Sequence, residues 1–457
     1  MSDAQANPDP AAPSRARRRL ILAICCMSLL IVGLDNTIVN VALPSIGREL
    51  HTRVEGLQWT VDAYTLVLAS LLMLSGSMGD RLGRRRVFQT GLVLFTLASL
   101  LCSAAPGIGW LIFFRMLQAI GGSMLNPVAM SIIRNVFTDA RERAQAIGFW
   151  GATVGLSLAL GPVVGGALVQ SAGWRSIFWI NIPVGLVALA LTIFFVPESR
   201  APHPRRVDPV GQVLVIVLLA SLTFAIIEAP SAGWLSEQTV GTFALSAAAL
   251  AGLLIYERRR REPLLEMRFF RSLPFSGASA IAVSSFAALG GFLFLNTLYL
   301  QEVRGLSALT AGLYTLPIAA MTLIFSPLSG RVVGRRGPRI GLLVGGLGIT
   351  LGAGLLTNLG PHTAIPSLLP AYFIFGIGFG MVNPPITNTA VLGMPAAQAG
   401  VAAAVASTSR QVGQTLGVAL VGAVAAAGVG KVGPGFVQAS HTAWWIVTGD
   451  PPCWSWG

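Results

Sequence analysis

Long apolar runs separated by short polar loops make up most of the sequence. A membrane-spanning α-helix needs about 20 predominantly apolar residues. Thirteen runs approach or exceed that length, near 20–46, 57–79, 87–105, 110–135, 146–170, 176–196, 210–228, 238–256, 274–299, 307–330, 340–359, 367–392 and 401–430. The alternation typical of membrane barrels is missing, and backbone groups in lipid must be satisfied within the segment. The pattern therefore predicts an all-α integral membrane protein.

Composition and charge support this class and add an orientation. The 457 residues are 54% hydrophobic and only 11% charged, whereas a soluble domain carries about a quarter charged residues. Of the 31 Lys and Arg residues, 24 lie before the first run or in alternate loops, and five lie on the opposite side. This bias predicts a multi-pass protein of the bacterial plasma membrane with a cytoplasmic N-terminus. Short basic clusters of this kind do not favour nucleic-acid binding; the expected partners are the lipid bilayer, a small-molecule substrate and protons.

Two short motifs recur along the chain at almost the same offset. Gly121–Pro127 returns as Gly378–Pro384, 257 residues later, and Gly83–Arg85 returns as Gly334–Arg336, 251 residues later. Such parallel repeats are typical of secondary transporters. The predicted organisation is a basic, disordered lead (1–19), a six-helix bundle (20–196), two inserted helices (197–273), a second bundle (274–448) and an aberrant tail (449–457).

The second bundle ends irregularly. The repeat predicts a fourteenth span near 431–451, and Thr442–Thr448 begins one. Asp450 and the pair Pro451–Pro452 then follow, and neither charge nor proline continues a lipid-facing helix. The sequence predicts an incomplete last helix, either through loss of the natural span or because the tail evolved in this form.

Three charged residues within the apolar runs are the sharpest candidates for function. Asp35, Asp62 and Arg115 lie in the first, second and fourth runs, at nearly one depth for a helix that rises about 1.5 Å per residue. A charge at this depth costs roughly 2.5–3.5 kcal/mol and is kept mainly where it functions. Burial favours a protonated carboxyl and a nearby cation favours its release, which suits exchange of a proton for a cation. The alternative is a static Asp–Arg pair, a reading that fits Asp62 better than Asp35.

Other polar residues give weaker signals. Four could line a solute path or form interhelical hydrogen bonds, namely Asn36, Asn126, Asn383 and Arg410. Arg410 fits a partner carboxylate, an anionic ligand group or a local structural bond equally well. The only lysine, Lys431, is not part of a phosphate-binding loop. The sequence offers no metal-ligand or nucleophile–base constellation, so we expect neither an enzyme nor a bound cofactor, and the energy source would be a proton gradient.

Two glycine-containing motifs have clear physical readings. The loop after the second run contains Gly76, Asp80, Arg81, Gly83 and Arg84. Asp80 can accept from arginines or cap a helix, and the glycines permit close backbone approach. The fifth run carries a set of residues that allows helices to touch and kinks the run at its proline. These are Gly161, Pro162, Gly165 and Gly166.

Together with the Asp35 segment, Arg115–Gly122 and Trp174–Gly185, these motifs resemble the major facilitator superfamily, more narrowly its fourteen-span drug:proton antiporter branch. The resemblance implies two pseudo-symmetric six-helix bundles, a monomer, and proton-coupled export of amphipathic, cationic drugs or antibiotics by alternating access. It also implies that the Asp80 loop is a gate latch and that the fifth run is of the exchanger type. Ser157 and Ala119 replace usual glycines. The alternatives are an exporter of one endogenous metabolite and a transport-defective membrane protein.

Overall fold

The computed structural model describes residues 14–202, 207–260, 262–391, 399–428 and 434–449. Within these ranges the fold is all-helical. The sixteen α-helices are α1 (Arg15–Glu49), α2 (Val54–Leu82), α3 (Arg84–Ser103), α4 (Ile108–Val136), α5 (Ala140–Ala172), α6 (Ser176–Trp179), α7 (Asn181–Phe195), α8 (Pro209–Ala232), α9 (Glu237–Arg259), α10 (Leu273–Leu298), α11 (Ala308–Tyr314), α12 (Leu316–Arg336), α13 (Arg339–Gly354), α14 (Leu369–Val391), α15 (Ala399–Gly428) and α16 (Pro434–Thr448).

The helices follow the predicted runs closely. Eleven helical segments in the described chain are long and apolar enough to cross a bilayer, and α15 covers the described part of the run predicted at 401–430, up to Gly428. The run predicted at 340–359 forms a shorter helix, because α13 ends at Gly354 after 16 residues. The sixth run is broken at Ile180 into α6 and α7.

The predicted fourteenth span corresponds to α16, a helix of 15 residues. The tail predicted to be aberrant, 449–457, is described only at Gly449, and the lead 1–19 only from Ser14 onward.

The two halves of the chain repeat one packing arrangement. In the first half (α1–α7), α1 packs on α5, and α4 packs on both α2 and α3. In the second half (α10–α16), α10 packs on α15, and α14 packs on both α12 and α13. The inserted helices α8 and α9 pack on each other, and α8 also contacts α2 and α15. The internal repeat in the sequence is therefore matched by a repeat in helix packing.

The polar contacts between the halves form a seam near one end of the molecule. We call the end where α1 meets α2 the α1–α2 end, and the opposite one the α2–α3 end. The side-chain hydrogen bonds and ion pairs that join the halves in the described chain lie nearer the α1–α2 end. They are Asn36–Gln414, Val41–Gln301, Arg48–Glu302, Gln58–Val418, Gln58–Ala419 and Thr65–Thr415.

Candidate functional site

Asp35 sits at the centre of a fully buried hydrogen-bond network. Its carboxylate forms an ion pair with Arg115 of α4, and both side chains are fully buried. The other carboxylate oxygen accepts from Gln118 Nε2 at 2.8 Å and from Asn181 Nδ2 at 2.9 Å. Because α7 begins at Asn181, the break after α6 brings this amide to Asp35. The carboxylate is thus compensated by one charge and two amide donors.

Arg115 connects this network to α2. Its Nε donates to the Thr60 carbonyl at 3.2 Å, and its guanidinium carbon lies 4.1 Å from the centroid of the Tyr64 ring. A guanidinium over an aromatic face is attracted by the ring quadrupole. Nη1 also donates to Gln118 Oε1 at 2.8 Å, and Nη2 has no hydrogen-bond partner. The ion pair therefore ties α1, α4 and α2 together.

Asp62 has the opposite surroundings. Its side chain is fully buried, and neither carboxylate oxygen has a hydrogen-bond partner in the described chain. Gln58 precedes Asp62 by four residues and Thr65 follows it by three, so all three lie on one face of α2. Gln58 and Thr65 both form hydrogen bonds with α15. Helical spacing therefore puts Asp62 on the α2 face that forms the seam. A buried carboxylate without a partner is costly when charged.

The structure divides the predicted three-charge group. It brings Asp35 and Arg115 together but does not bond Asp62 to either. The reason is helical rotation: Thr60 and Tyr64, which contact Arg115, lie two residues either side of Asp62. At about 3.6 residues per turn, two residues correspond to roughly half a turn. The static pair, which the sequence favoured for Asp62 over Asp35, is formed by Asp35.

Three residues of the network were not identified from the sequence. Gln118 and Ser99 form a hydrogen bond of 2.7 Å beside Asp35, and Tyr64 covers Arg115. Gln118 follows Arg115 by three residues, so it shares a helix face with it, and that spacing was a usable signal. Ser99 and Tyr64 lie on other helices, and no local pattern links them to the site.

The glycine-rich segment of α5 lies between α1 and the second half. A Cβ on Gly161 or Gly165 would overlap side chains of α1, at Thr37 and Ile38. A Cβ on Gly166 would lie 2.5 Å from the Ala308 carbonyl oxygen, and one on Gly312 would lie 2.2 Å from the Pro162 carbonyl oxygen. The small residues therefore permit backbone contact between α5 and α11 across the seam.

The Asp80 loop is held within the first half. Arg84 donates from Nε and Nη2 to Asp80 Oδ1, at 3.1 and 2.9 Å. Gly83 has φ +115°, a conformation that favours glycine. The segment after α7 binds the same loop, since Arg84 N donates to the Ser199 carbonyl and Ala201 N to the Asp80 carbonyl. Gly76 lies against Pro127 of α4, and Arg81 is exposed.

The four predicted cavity-lining residues are all partly exposed. Asn36 bonds Gln414 across the seam at 3.0 Å. Arg410 donates to Thr387 of α14, and its Nε has no partner. No group of three or more potential metal-ligating side chains exists in the described chain.

The fold is similar to that of solved transporters. The D-xylose-proton symporter gives a TM-score of 0.67 at 16% identity, covering 94% of this chain and 96% of the symporter. A bacterial homologue of the human lysosomal transporter Spinster, in an inward-facing and unoccupied conformation, gives a TM-score of 0.67 at 17% identity and covers 95% of both chains. At these identities the similarity establishes the fold alone.

Sequence relatives cover most of the chain. Multidrug resistance protein Stp of Mycobacterium tuberculosis is 38% identical over 408 residues, which are 89% of this chain and 76% of Stp. The tetracenomycin C resistance and export protein of Streptomyces glaucescens is 35% identical over 427 residues, 93% of this chain and 79% of that protein. The sequence profile of the Major Facilitator Superfamily matches residues 25–418. With its helical repeat and its many spanning helices, the chain belongs to the major facilitator superfamily of membrane transporters.

Proposed function

We propose that this protein exports amphipathic, cationic drugs or antibiotics across the bacterial plasma membrane in exchange for protons. Its relatives support the export of drugs, since they include Stp, the tetracenomycin C exporter and the multidrug efflux pump LfrA of Mycolicibacterium smegmatis, which is 34% identical over 412 residues, 90% of this chain and 81% of LfrA. The observation that carries proton coupling is Asp62, a buried carboxylate without a partner at the seam between the halves.

The arginine bias between loops supports a cytoplasmic N-terminus. In that orientation the α1–α2 end faces outward, and the hydrogen-bonded seam closes the outer side. The arrangement is then inward-facing. Asn126, Asn383 and Arg410, which are partly exposed, would line the path open to the cytoplasm.

The state of the seam and the charge of Asp62 are linked. When the seam is open, Asp62 faces outside water and can bind a proton. Closing the seam buries the carboxyl, and burial favours the neutral form. Protonation from outside therefore promotes the inward-facing state, in which a drug cation arriving from the cytoplasm takes the place of the proton and the proton leaves to the cytoplasm. Arg115 holds Asp35 in position beside this path.

Drug uptake into everted membrane vesicles of an efflux-deficient host tests the proposal. Wild-type vesicles should accumulate a lipophilic cation such as rhodamine 6G when their interior is acidified, and collapse of the gradient should release it. Asp35→Asn and Asp62→Asn should each abolish gradient-driven accumulation, whereas Glu237→Gln, at an exposed position on α9, should not. Gradient-independent accumulation, or full activity of the Asp35 variant, would refute the mechanism.

Substrate range separates this function from export of one metabolite. A drug exporter should accumulate several structurally unrelated lipophilic cations in the same vesicles. Accumulation of none of them, with the protein correctly inserted, would refute drug export.

A further inference from the structure

A basic cavity at the α2–α3 end is not part of the proposed transport path. It has a volume of about 380 Å³ and lies between α2, α3 and α4. Three arginines line it, Arg81 at the end of α2, Arg86 in the first turn of α3 and Arg200 after α7. The remaining lining is largely apolar and includes Met78 and Met124.

The positive charge of this cavity is only partly neutralised by the protein. Asp80 is bound by Arg84, at 2.9 Å. Glu198 lies 3.8 Å from Arg86 and also accepts from the Arg85 backbone N–H. Within the described ranges, neither Arg81 nor Arg200 forms an ion pair. Two guanidinium groups are thus free to bind an anion. The planar arrangement of N–H donors on each guanidinium matches the oxygens of a phosphate group.

The order of residues along the helices makes the cavity amphipathic. Arg81 and Arg86 flank the turn at Gly83, at the ends of two spanning helices. Met78 lies about one turn further into the bundle, and Met124 lies within α4. The arginines therefore form a rim at the level of the membrane surface, and the apolar side chains extend toward the hydrocarbon region. Basic pockets between membrane helices are typical sites for anionic lipid head groups.

We propose that this cavity binds the phosphate of an anionic phospholipid, with Arg81 and Arg200 as its principal ligands and Arg86 as a third. The glycerol and the first methylenes of the lipid lie against Met78 and Met124. This site is separate from Asp35 and Asp62, so it holds whether or not the transport mechanism is correct.

Native mass spectrometry of the purified full-length chain tests the site. Phosphatidylglycerol should bind at least tenfold more tightly than phosphatidylcholine of the same acyl chains. The double variant Arg81→Gln/Arg200→Gln should reduce this preference to about twofold or less. The variant Arg81→Lys/Arg200→Lys retains both charges and should keep at least half of the preference for phosphatidylglycerol. It therefore separates loss of the arginine charges from a folding defect.

The internal repeat supplies a matched control. Arg335 and Arg336 occupy the corresponding end of α12 and are exposed, so Arg335→Gln/Arg336→Gln removes the same charge from the other half. This control should keep the wild-type preference. Equal loss in both glutamine variants, or no loss in either, would overturn the site. Excess inorganic phosphate should leave lipid binding unchanged; if it displaces the lipid, the cavity binds a soluble phosphate and the lipid assignment is wrong.

Discussion

Two buried carboxylates of the first half differ in what surrounds them. Asp35 has an arginine and two amide donors, whereas Asp62 has no hydrogen-bond partner in the described chain. A compensated carboxylate can stay ionised while buried, but an uncompensated one favours its neutral form. The two residues therefore suit different tasks, with Asp35 organising α1, α4 and α7 and Asp62 changing its charge.

The Asp35–Arg115 pair should behave as one stability unit. Asp35→Asn leaves Arg115 uncompensated, and loss of one partner of a buried pair costs about 3–5 kcal/mol. The same cost is expected for Arg115→Gln. The double variant should lose less free energy of unfolding than the sum of the two single variants. Reversible unfolding in detergent measures all three, and strictly additive losses would contradict the pairing.

The charged residues could be predicted from the sequence, but their partners could not. An aspartate within an apolar run can be identified directly from the sequence, and its depth in the membrane follows from its distance to the end of the run. The direction of its side chain depends on helix rotation and on which helices become neighbours. For this reason Asp62 was grouped with Arg115, although it lies about half a turn of α2 away from the contacts that Arg115 makes at Thr60 and Tyr64.

At the scale of the helices, the contact of α5 with α11 depends on missing side chains. Gly166 and Gly312 each approach backbone atoms of the other half. A methyl group at either position would force the helices apart. The glycine motif is therefore part of the seam as well as of the packing within the first half.

Gly166→Ala should disfavour closure of the seam at the α1–α2 end. With Glu302→Cys as a reporter and the native cysteines replaced by serine, a membrane-impermeant maleimide should label position 302 several-fold faster in the Gly166→Ala background. Gly277→Ala is the control, because a Cβ at Gly277 would meet no atom within 4 Å. Equal labelling rates in the two backgrounds would show that α5 and α11 do not limit closure.

Most helices were predictable because hydrophobic length alone specifies a spanning segment. The break at Ile180 also has a sequence signal, because Pro183 lacks the N–H that would bond to the Trp179 carbonyl four residues earlier. The early end of α13 at Gly354 follows a segment rich in glycine. A glycine-rich apolar segment can form a helix of spanning length, but its sequence does not require the helix to continue that far.

At the scale of the whole molecule, seam closure and protonation of Asp62 should depend on each other. Spin labels at Arg53→Cys and His362→Cys, two exposed positions at the α1–α2 end, report the distance between the halves. Acid pH neutralises Asp62 and should shift the population toward the short distance, while alkaline pH should favour a longer one. In Asp62→Asn the short distance should dominate at both pH values. A pH effect of opposite sign would contradict the coupling.

The duplicated architecture was visible in the sequence as two repeated motifs, and the comparisons establish the family. Which end of the molecule is closed was not visible, because in the proposed transport cycle the same sequence forms a seam at each end in turn. Which seam is formed depends on small differences between many contacts, such as Gln58 with Ala419 and Arg48 with Glu302.

Drug-driven proton movement in proteoliposomes is the decisive measurement of whether Asp62 carries the exchanged proton. Addition of a transported cation to wild-type protein should move protons in the opposite direction, measured with a pH-sensitive dye. Asp62→Asn should still bind the drug but move no protons, and Glu237→Gln should match the wild type. If Asp62→Asn moves protons at the wild-type ratio to drug, Asp62 is not the proton carrier.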